Sequence, residues 1–335
     1  GARRRAWRTA PLARLYLVSG VILLAMGLGS QVAWGETLKV GEISRPRFAS
    51  GDVDGDGIRE LVIGGRVGPF RPVTDSPSSG RGRIEVYRRE GRLFAPMGAG
   101  LDLNQVVDVA CGDLDGDGTS EVAAVGGGRL VVFAWQAGSL GVRHAEALDG
   151  EWSDRVAAGD VDGDGRDELI VTLYAIGDEA ELGQTSVVLY RLEAGRLRGH
   201  AQLDIPMHVG DLAIAGPGGA SGMGLVLEVG AGDEGGEGRV YRFAGGHFVK
   251  TWGAPVTQEG TRALTVSGLG SLVAFLPVGG PPVIYGLEGG SLWLRGSLES
   301  AVGGGLVLTE GPQGATEFVS ASGRSSPLRA SPLAF

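Results

Sequence analysis

Downstream of residue 36, the hydrophobic residues occur in short runs that are bounded by glycine-rich turns. Typical runs are ELVIGG, EVAAVGG and DELIVTLY, each of which has the length of one strand. No window of helical length in this region shows a convincing 3.6-residue period. The 62 glycines favour many strands joined by tight turns over long helices. The pattern therefore predicts an all-β protein.

The first 35 residues follow a different pattern, because five arginines and no acid precede a long uncharged run from Leu15 to Gly35. A basic start, an apolar centre and small residues before Glu36 are typical of a signal peptide. The same run is also long enough for an uncleaved membrane anchor with its arginines in the cytoplasm. We therefore expect a hydrophobic leader helix over residues 1–35. We expect the domain over residues 36–335 to be exported, either to the cell surface, the periplasm or the exterior.

The charge balance excludes one class of partner. The formal net charge is −9, and the domain after residue 35 is more acidic still, since the leader carries five of the 30 basic residues. Nucleic-acid binding is disfavoured because it needs clustered lysine and arginine, which are scattered here. Cys111 is the single cysteine, so no internal disulfide can form, and we interpret it as a small core residue.

One acidic motif occurs three times: GDVDGDGIREL from Gly51, GDLDGDGTSEV from Gly112 and GDVDGDGRDEL from Gly159. Counted from the first aspartate, acids occupy positions 1, 3, 5 and 9, glycine at position 6 permits a sharp turn, and position 7 can offer its carbonyl oxygen. The predicted metal ligands are Asp52, Asp54, Asp56, Ile58 and Glu60 in the first copy, Asp113, Asp115, Asp117, Thr119 and Glu121 in the second, and Asp160, Asp162, Asp164, Arg166 and Glu168 in the third.

An all-oxygen ligand set of this kind suits Ca²⁺, which takes six to eight oxygens, whereas Zn²⁺ prefers histidine and cysteine. An EF-hand shares the opening of the motif, but it needs a glutamate at position 12 and flanking helices. Position 12 is Ile63, Ala124 or Val171 here, and strand-like runs follow each loop. The sequence therefore predicts three Ca²⁺ sites in loops that connect strands, where the cation links metal binding to local folding.

These loops resemble those of the FG-GAP and VCBS repeat families, including the integrin α-subunit head. The resemblance is close from Arg45 to Pro206, and it implies a β-propeller with calcium-binding blades. Beyond Pro206 the strand rhythm continues without the acids, and Asp211 is interpreted as the only remnant of a fourth loop. The tail offers three strands, and Glu36 to Ile43 would supply the missing fourth. We predict six blades, with seven, a frequent number in the family, as the alternative.

Nothing in the motifs indicates catalysis. The four histidines are dispersed, and the sequence has no G-x-S-x-G elbow and no P-loop. We therefore predict a non-enzymatic module that binds a protein or a glycan, as the family resemblance implies, with membrane contact only through an uncleaved leader. The insertion from Gly65 to Arg83, with Arg66, Phe70 and Arg71, is a candidate contact surface or simply a surface loop. The alternatives are a structural subunit of a membrane-anchored or surface assembly and a propeller-fold polysaccharide lyase or hydrolase.

Overall fold

A computed structural model gives the structure of the protein over most of the region downstream of the leader. The described residues are 43–67, 81–90, 93–98, 100–148, 151–175, 184–216, 222–230, 236–256, 263–277, 281–297, 306–310, 316–320 and 325–327. The predicted leader helix lies outside them, as do Phe70 and Arg71 of the long insertion. The regular elements in the described ranges are all β-strands. A search of the same ranges finds no helix that could cross a membrane.

The strands form antiparallel sheets in which neighbours in sequence pair in space. Blade 1 contains β1 (Ile43–Gly51), β2 (Glu60–Val67), β3 (Gly82–Glu90), β4 (Leu93–Pro96) and β5 (Leu101–Leu103). Blade 2 contains β6 (Asp108–Gly112), β7 (Glu121–Gly126), β8 (Arg129–Gln136) and β9 (Ser139–Ala147). Blade 3 contains β10 (Glu151–Trp152), β11 (Val156–Gly159), β12 (Glu168–Ala175), β13 (Thr185–Glu193) and β14 (Arg196–Ile205).

The second half of the chain repeats the pattern without the acidic loops. Blade 4 contains β15 (Val209–Ala215), β16 (Gly224–Val229), β17 (Glu237–Ala244) and β18 (His247–Pro255). Blade 5 contains β19 (Ala263–Leu269), β20 (Leu272–Pro277), β21 (Val283–Glu288) and β22 (Ser291–Ser297). A last sheet has β23 (Leu306–Glu310), β24 (Thr316–Ser320) and β25 (Ser325–Pro327). The tail was expected to contain three strands, and β23 and β24 lie where the first two were expected, whereas most of the third, expected over residues 326–335, lies outside the described residues.

Tight turns close several of these hairpins, which explains part of the high glycine content. Gly245 and Gly246 join β17 to β18 with φ values of 60° and 84°. Two successive residues in the left-handed region form the hairpin turn whose twist matches that of the flanking strands, and glycine adopts it without steric cost. Short hairpins of this type keep each sheet a simple meander.

The sheets are arranged around a central axis as a β-propeller. One strand of each sheet is innermost, and these strands contact one another in the cyclic order β1, β6, β11, β15, β19, β23 and back to β1. Because a single blade cannot cover its own apolar faces, the core lies between neighbouring blades. One cluster, for example, joins Leu130 and Val132 of blade 2 to Leu169 and Val171 of blade 3. The all-β propeller prediction is confirmed.

The predicted blade count needs correction. The described residues form five complete blades of four or five strands, one fewer than the predicted six, and the last sheet has three strands. The strand expected at Glu36 to Ile43, which was to complete that sheet, lies outside the described residues except for Ile43. Ile43 itself belongs to β1 and pairs with Val67 of blade 1.

Cys111 lies on β6 and is half-buried against the core between blades 1 and 2. Burial raises the pKa of its thiol to about 12, so the group stays protonated near neutral pH. This environment is that of a small apolar side chain, as the sequence indicated.

Candidate metal centre

The three acidic motifs occupy equivalent places in blades 1, 2 and 3. Each begins directly after the innermost strand and ends at the first residue of the second strand. The loops are therefore neighbours on one face of the propeller, at the carboxyl ends of β1, β6 and β11. The prediction that the acidic motifs form loops that connect strands is confirmed.

The first aspartate of each motif organises its loop by accepting backbone N–H groups. Asp52 accepts from the Gly55 nitrogen at 2.8 Å and from the Gly57 nitrogen at 2.9 Å. Both glycines have positive φ, 77° and 83°, so the turn needs glycine at positions 4 and 6. Asp113 and Asp160 accept the corresponding bonds in their loops. The motif thus encodes its own fold through local side-chain bonds.

The glutamate at position 9 of each motif is buried and accepts a hydrogen bond from the start of its loop. Glu60, Glu121 and Glu168 are 0%, 3% and 1% exposed. One carboxylate oxygen of each accepts the backbone N–H of position 2, at 2.9 to 3.0 Å. The other oxygen of Glu60, Oε1, is buried without a hydrogen bond. A buried carboxylate oxygen in this state is costly unless a cation or donor satisfies it.

The acids at positions 1, 3 and 9 converge in every loop. Their ligand oxygens lie within 4.8 Å of one another. We call these groups cage 1 (Asp52, Asp54, Glu60), cage 2 (Asp113, Asp115, Glu121) and cage 3 (Asp160, Asp162, Glu168). Oxygens separated by this distance can share one ion at the roughly 2.3–2.6 Å that Ca²⁺ prefers. The donor set therefore fits a calcium ion.

The predicted ligands at positions 5 and 7 do not belong to the convergent groups of acids. The acids at position 5, Asp56, Asp117 and Asp164, are outside the three convergent groups, and each accepts the backbone N–H of position 7. The position 7 residues, Ile58, Thr119 and Arg166, were predicted to offer backbone carbonyls, and they lie on the exposed or half-exposed side of their loops. Their role as ligands stays a prediction.

Burial and the neighbouring negative charges raise the pKa values of the cage glutamates. Burial, together with the neighbouring aspartates, raises the pKa of Glu60 and of Glu121 to about 7 and that of Glu168 to about 8. A group with a raised pKa keeps its proton to higher pH. A cation and a proton therefore compete for the same oxygens near neutral pH.

Sequence reasoning missed an arginine that faces each cage from an outer strand. Arg88 on β3 pairs with Asp54, Arg143 on β9 with Asp115 and Glu121, and Arg191 on β13 with Asp162. Arg191 also reaches Glu168 at 3.2 Å. One guanidinium offsets only part of the charge of several carboxylates. The sequence signal for two of these arginines is a preceding tyrosine, in β3 and in β13. The same Tyr-Arg pair also occurs in blade 4, which has no acidic motif, so the pair alone does not identify a cage arginine.

A second missed feature is a buried charge network at the axis. Arg47, Asp108, Arg155 and Asp211 each come from the innermost strand, or the residue before it, of blades 1 to 4, and we call them the hub network. Arg47 Nη1 lies 3.1 Å from Asp211 Oδ2, and Arg155 Nε lies 3.2 Å from Asp211 Oδ1. Asp108 accepts the Val156 N–H at 3.1 Å, and burial raises its pKa to about 6.

The hub network corrects the interpretation of Asp211. This residue is near the start of β15, at the end of the strand away from the cages, and its side chain is 4% exposed. It is therefore an ion-pair partner and not the remnant of a metal loop. The available signal was positional, because each hub residue precedes the last residue of its inner strand by four. Their charges alternate in sign along the chain.

Comparisons with known proteins agree with this geometry. Residues 113–171, which contain all of cage 2 and cage 3, match the model of the FG-GAP-like repeat, so this stretch is such a repeat. No curated protein matches the chain. The crystal structure of a protein from Lactobacillus plantarum is similar, with a TM-score of 0.52 and 14% identity over 84% of this chain and 83% of that one. At this identity the likeness concerns the fold alone.

Proposed function

We propose that the protein is an exported calcium-binding β-propeller that acts as an interaction module. The observation that carries the proposal is the threefold convergence of two aspartates and a buried glutamate at one face of blades 1 to 3. Calcium is the cation that these oxygens suit, and no histidine or cysteine belongs to the cages. When bound, the ion would supply positive charge that fixes each loop between its two strands.

A calcium titration of the full-length chain tests this proposal. We expect about three ions to bind with dissociation constants of about 10⁻⁵–10⁻³ M, a range that runs from the weakest calcium sensors to extracellular modules. Asp115→Ala removes one carboxylate of cage 2 and should leave two ions. The matched control is Asp102→Ala, which removes an exposed acid of β5 outside the cages and should leave three.

The same titration has a proton signature. Because the cage glutamates have raised pKa values, each cage should release close to one proton per ion at about pH 6 and almost none at about pH 9. Calorimetry in buffers of different ionisation enthalpy measures this release. Calcium binding without proton release at the lower pH would place the ion away from Glu60, Glu121 and Glu168.

We propose a protein or glycan as the partner, with the propeller surface as the contact region. Trp293 and Leu294 support this, since they are adjacent on the outer strand β22 and are 59% and 57% exposed. A glycan array and a pull-down with the intact chain would identify the partner class. We expect Trp293→Ala to weaken capture at least about fivefold, and an unchanged signal would remove this surface from the proposal.

We further propose that the module is not an enzyme. The hub region does bring a tyrosine, a histidine and an arginine together, since Tyr174 stacks on His208 near Arg155. However, the Tyr174 hydroxyl donates to the Val209 carbonyl at 2.8 Å, burial raises its pKa, and Arg155 is ion-paired. These contacts favour a structural role over a polysaccharide lyase or hydrolase. A structural subunit of a surface assembly remains the alternative non-catalytic role.

We also propose that the last sheet completes a ring of six blades. Its strand β23 contacts both β19 and β1, which supports a position between blade 5 and blade 1.

A further inference from the structure

The three cages are joined to one another by direct hydrogen bonds between neighbouring loops. The Ser120 nitrogen of the second loop donates to the Asp52 carbonyl of the first, at 2.7 Å. The Asp167 nitrogen of the third loop donates to the Asp113 carbonyl of the second, at 2.8 Å. The same relation continues into blade 4, where the Met223 nitrogen donates to the Asp160 carbonyl at 2.8 Å.

The link between the second and third loops has an additional bond. The Asp167 carboxylate accepts the Asp113 N–H at 2.9 Å, so Asp167 holds both backbone groups of the residue that organises the second loop. Asp167 is also the neighbour in sequence of Glu168 of cage 3. The packing is close, because a Cβ at Gly112 would approach the Asp167 carboxylate to 2.8 Å. A backbone change at Asp113 or at Asp167 would therefore disturb hydrogen bonds that the two loops share.

We propose that calcium binds cooperatively to adjacent cages, with Asp167 as the coupling residue between cage 2 and cage 3. The inference rests on the proposed calcium binding and adds its regulation. An ion in cage 3 fixes Glu168 and hence Asp167, which in turn fixes Asp113 for the next ion. The second ion then has to order less of the second loop, so its binding costs less conformational entropy. The effect on affinity is reciprocal, because an ion in cage 2 favours binding in cage 3 by the same factor.

The contact pattern sets an order for the coupling. Cages 2 and 3 are joined by two hydrogen bonds between Asp113 and Asp167, one of which the Asp167 carboxylate accepts, whereas cages 1 and 2 share the Ser120 bond. Among the described hydrogen bonds, cages 1 and 3 are connected through the second loop, and Arg59 of the first loop acts on Asp167 of the third by electrostatic attraction alone. We therefore expect the strongest coupling between cages 2 and 3, weaker coupling between cages 1 and 2, and the weakest between cages 1 and 3 once cage 2 is removed.

Variants that each retain two cages test this order in the full-length chain by calcium calorimetry. Asp54→Ala leaves the adjacent cages 2 and 3, and Asp115→Ala leaves the separated cages 1 and 3. In the first variant, the second ion should bind at least about fivefold more tightly than independent sites allow. In the second, the two ions should bind independently, within about twofold.

Asp167→Ala, added to Asp54→Ala, isolates the coupling residue, because Asp167 is outside the cages. We expect two ions still to bind and the cooperativity factor to fall towards one. Ser120→Ala in the same background is the control, since Ser120 faces the first loop and should leave the factor unchanged. Hydrogen exchange of the unmodified chain gives a second measure, in which residues 113–120 and 160–167 should gain protection together, with a calcium dependence steeper than one-site binding.

The outcomes separate the two proposals. Calcium binding with independent sites in every variant, or one-site protection curves in the unmodified chain, would overturn the coupling and leave calcium binding intact. An unchanged factor in the Asp167→Ala variant would overturn the assignment of Asp167. A full-length chain that binds no calcium would reject the proposed function, and the coupling with it.

Discussion

Removal of calcium should lower the free energy of unfolding by about 8 kcal/mol, measured against a calcium concentration about 100-fold above the dissociation constants. When the ratio is taken to the stepwise dissociation constant of each ion, every ion that binds only the folded state contributes about 2.7 kcal/mol, so three ions contribute about 8 kcal/mol. Urea unfolding of the full-length chain in calcium and in chelator measures the difference. The same free energy of unfolding in calcium and in chelator would contradict the proposed role of the cages.

The loss of stability should be local before it is global. Blades 1 to 3 carry the cages, whereas blades 4 and 5 are complete without them. Hydrogen exchange in chelator should therefore increase first around β1, β6 and β11, and β19 to β22 serve as the internal control. Uniform loss of protection would mean that the loops do not stabilise their own blades.

The stability difference should also depend on pH. Without calcium, the raised pKa values of Glu60, Glu121 and Glu168 mean that the folded state binds more protons than the unfolded state between about pH 4.5 and pH 8. Stability therefore falls as pH rises through this window. With saturating calcium the cage carboxylates are ionised in the folded state, so their contribution should be nearly flat above about pH 5. The gap between the two curves should widen with pH.

The cages were predictable because their information is local. The aspartates at positions 1, 3 and 5 and the glycines at positions 4 and 6 form the loop by bonds within a few residues, as at Asp52. The strand pattern was equally local, and the four strands of blades 4 and 5 follow the hydrophobic runs without help from any acid. A structural unit that repeats along the chain and is formed by local contacts can therefore be recognised in a single sequence.

The hub network was missed because its contacts are set by the closed ring, and the cage arginines were missed because they reach the cages of their own blades from strands that differ between blades. Arg47 and Asp211 are 164 residues apart and meet only when blade 1 and blade 4 share an axis. Arg143 reaches cage 2 from β9, whereas Arg88 and Arg191 reach their cages from the third long strand of their blades. No common spacing from the motif therefore exists. The blade count was uncertain for a related reason, since a ring closes through segments from both ends of the chain.

The hub network gives the second large expected effect. Arg155→Met should lower the free energy of unfolding by about 3–5 kcal/mol, because it leaves Arg47 as the one hub cation beside the two buried carboxylates of Asp108 and Asp211. The Arg155 guanidinium also donates to the Gly210 carbonyl at 2.7 Å and to the Asp154 carbonyl at 2.6 Å, and these acceptors would lose their donor. Urea unfolding in saturating calcium measures the cost without interference from the cages.

Arg81→Met is the matched control, since it makes the same change in an exposed pair. Arg81 and Asp102 have side chains that are 73% and 38% exposed, so this variant should lose less than about 1 kcal/mol. The double variant Arg155→Met/Asp211→Asn should be more stable than the sum of its single variants indicates, because the charge on Asp211 is removed together with its partner. Equal costs for Arg155→Met and Arg81→Met would show that the hub charges do not hold the blades together. A large cost for Arg155→Met alone would identify the axis, and not only the calcium face, as a region that makes the ring one cooperative unit.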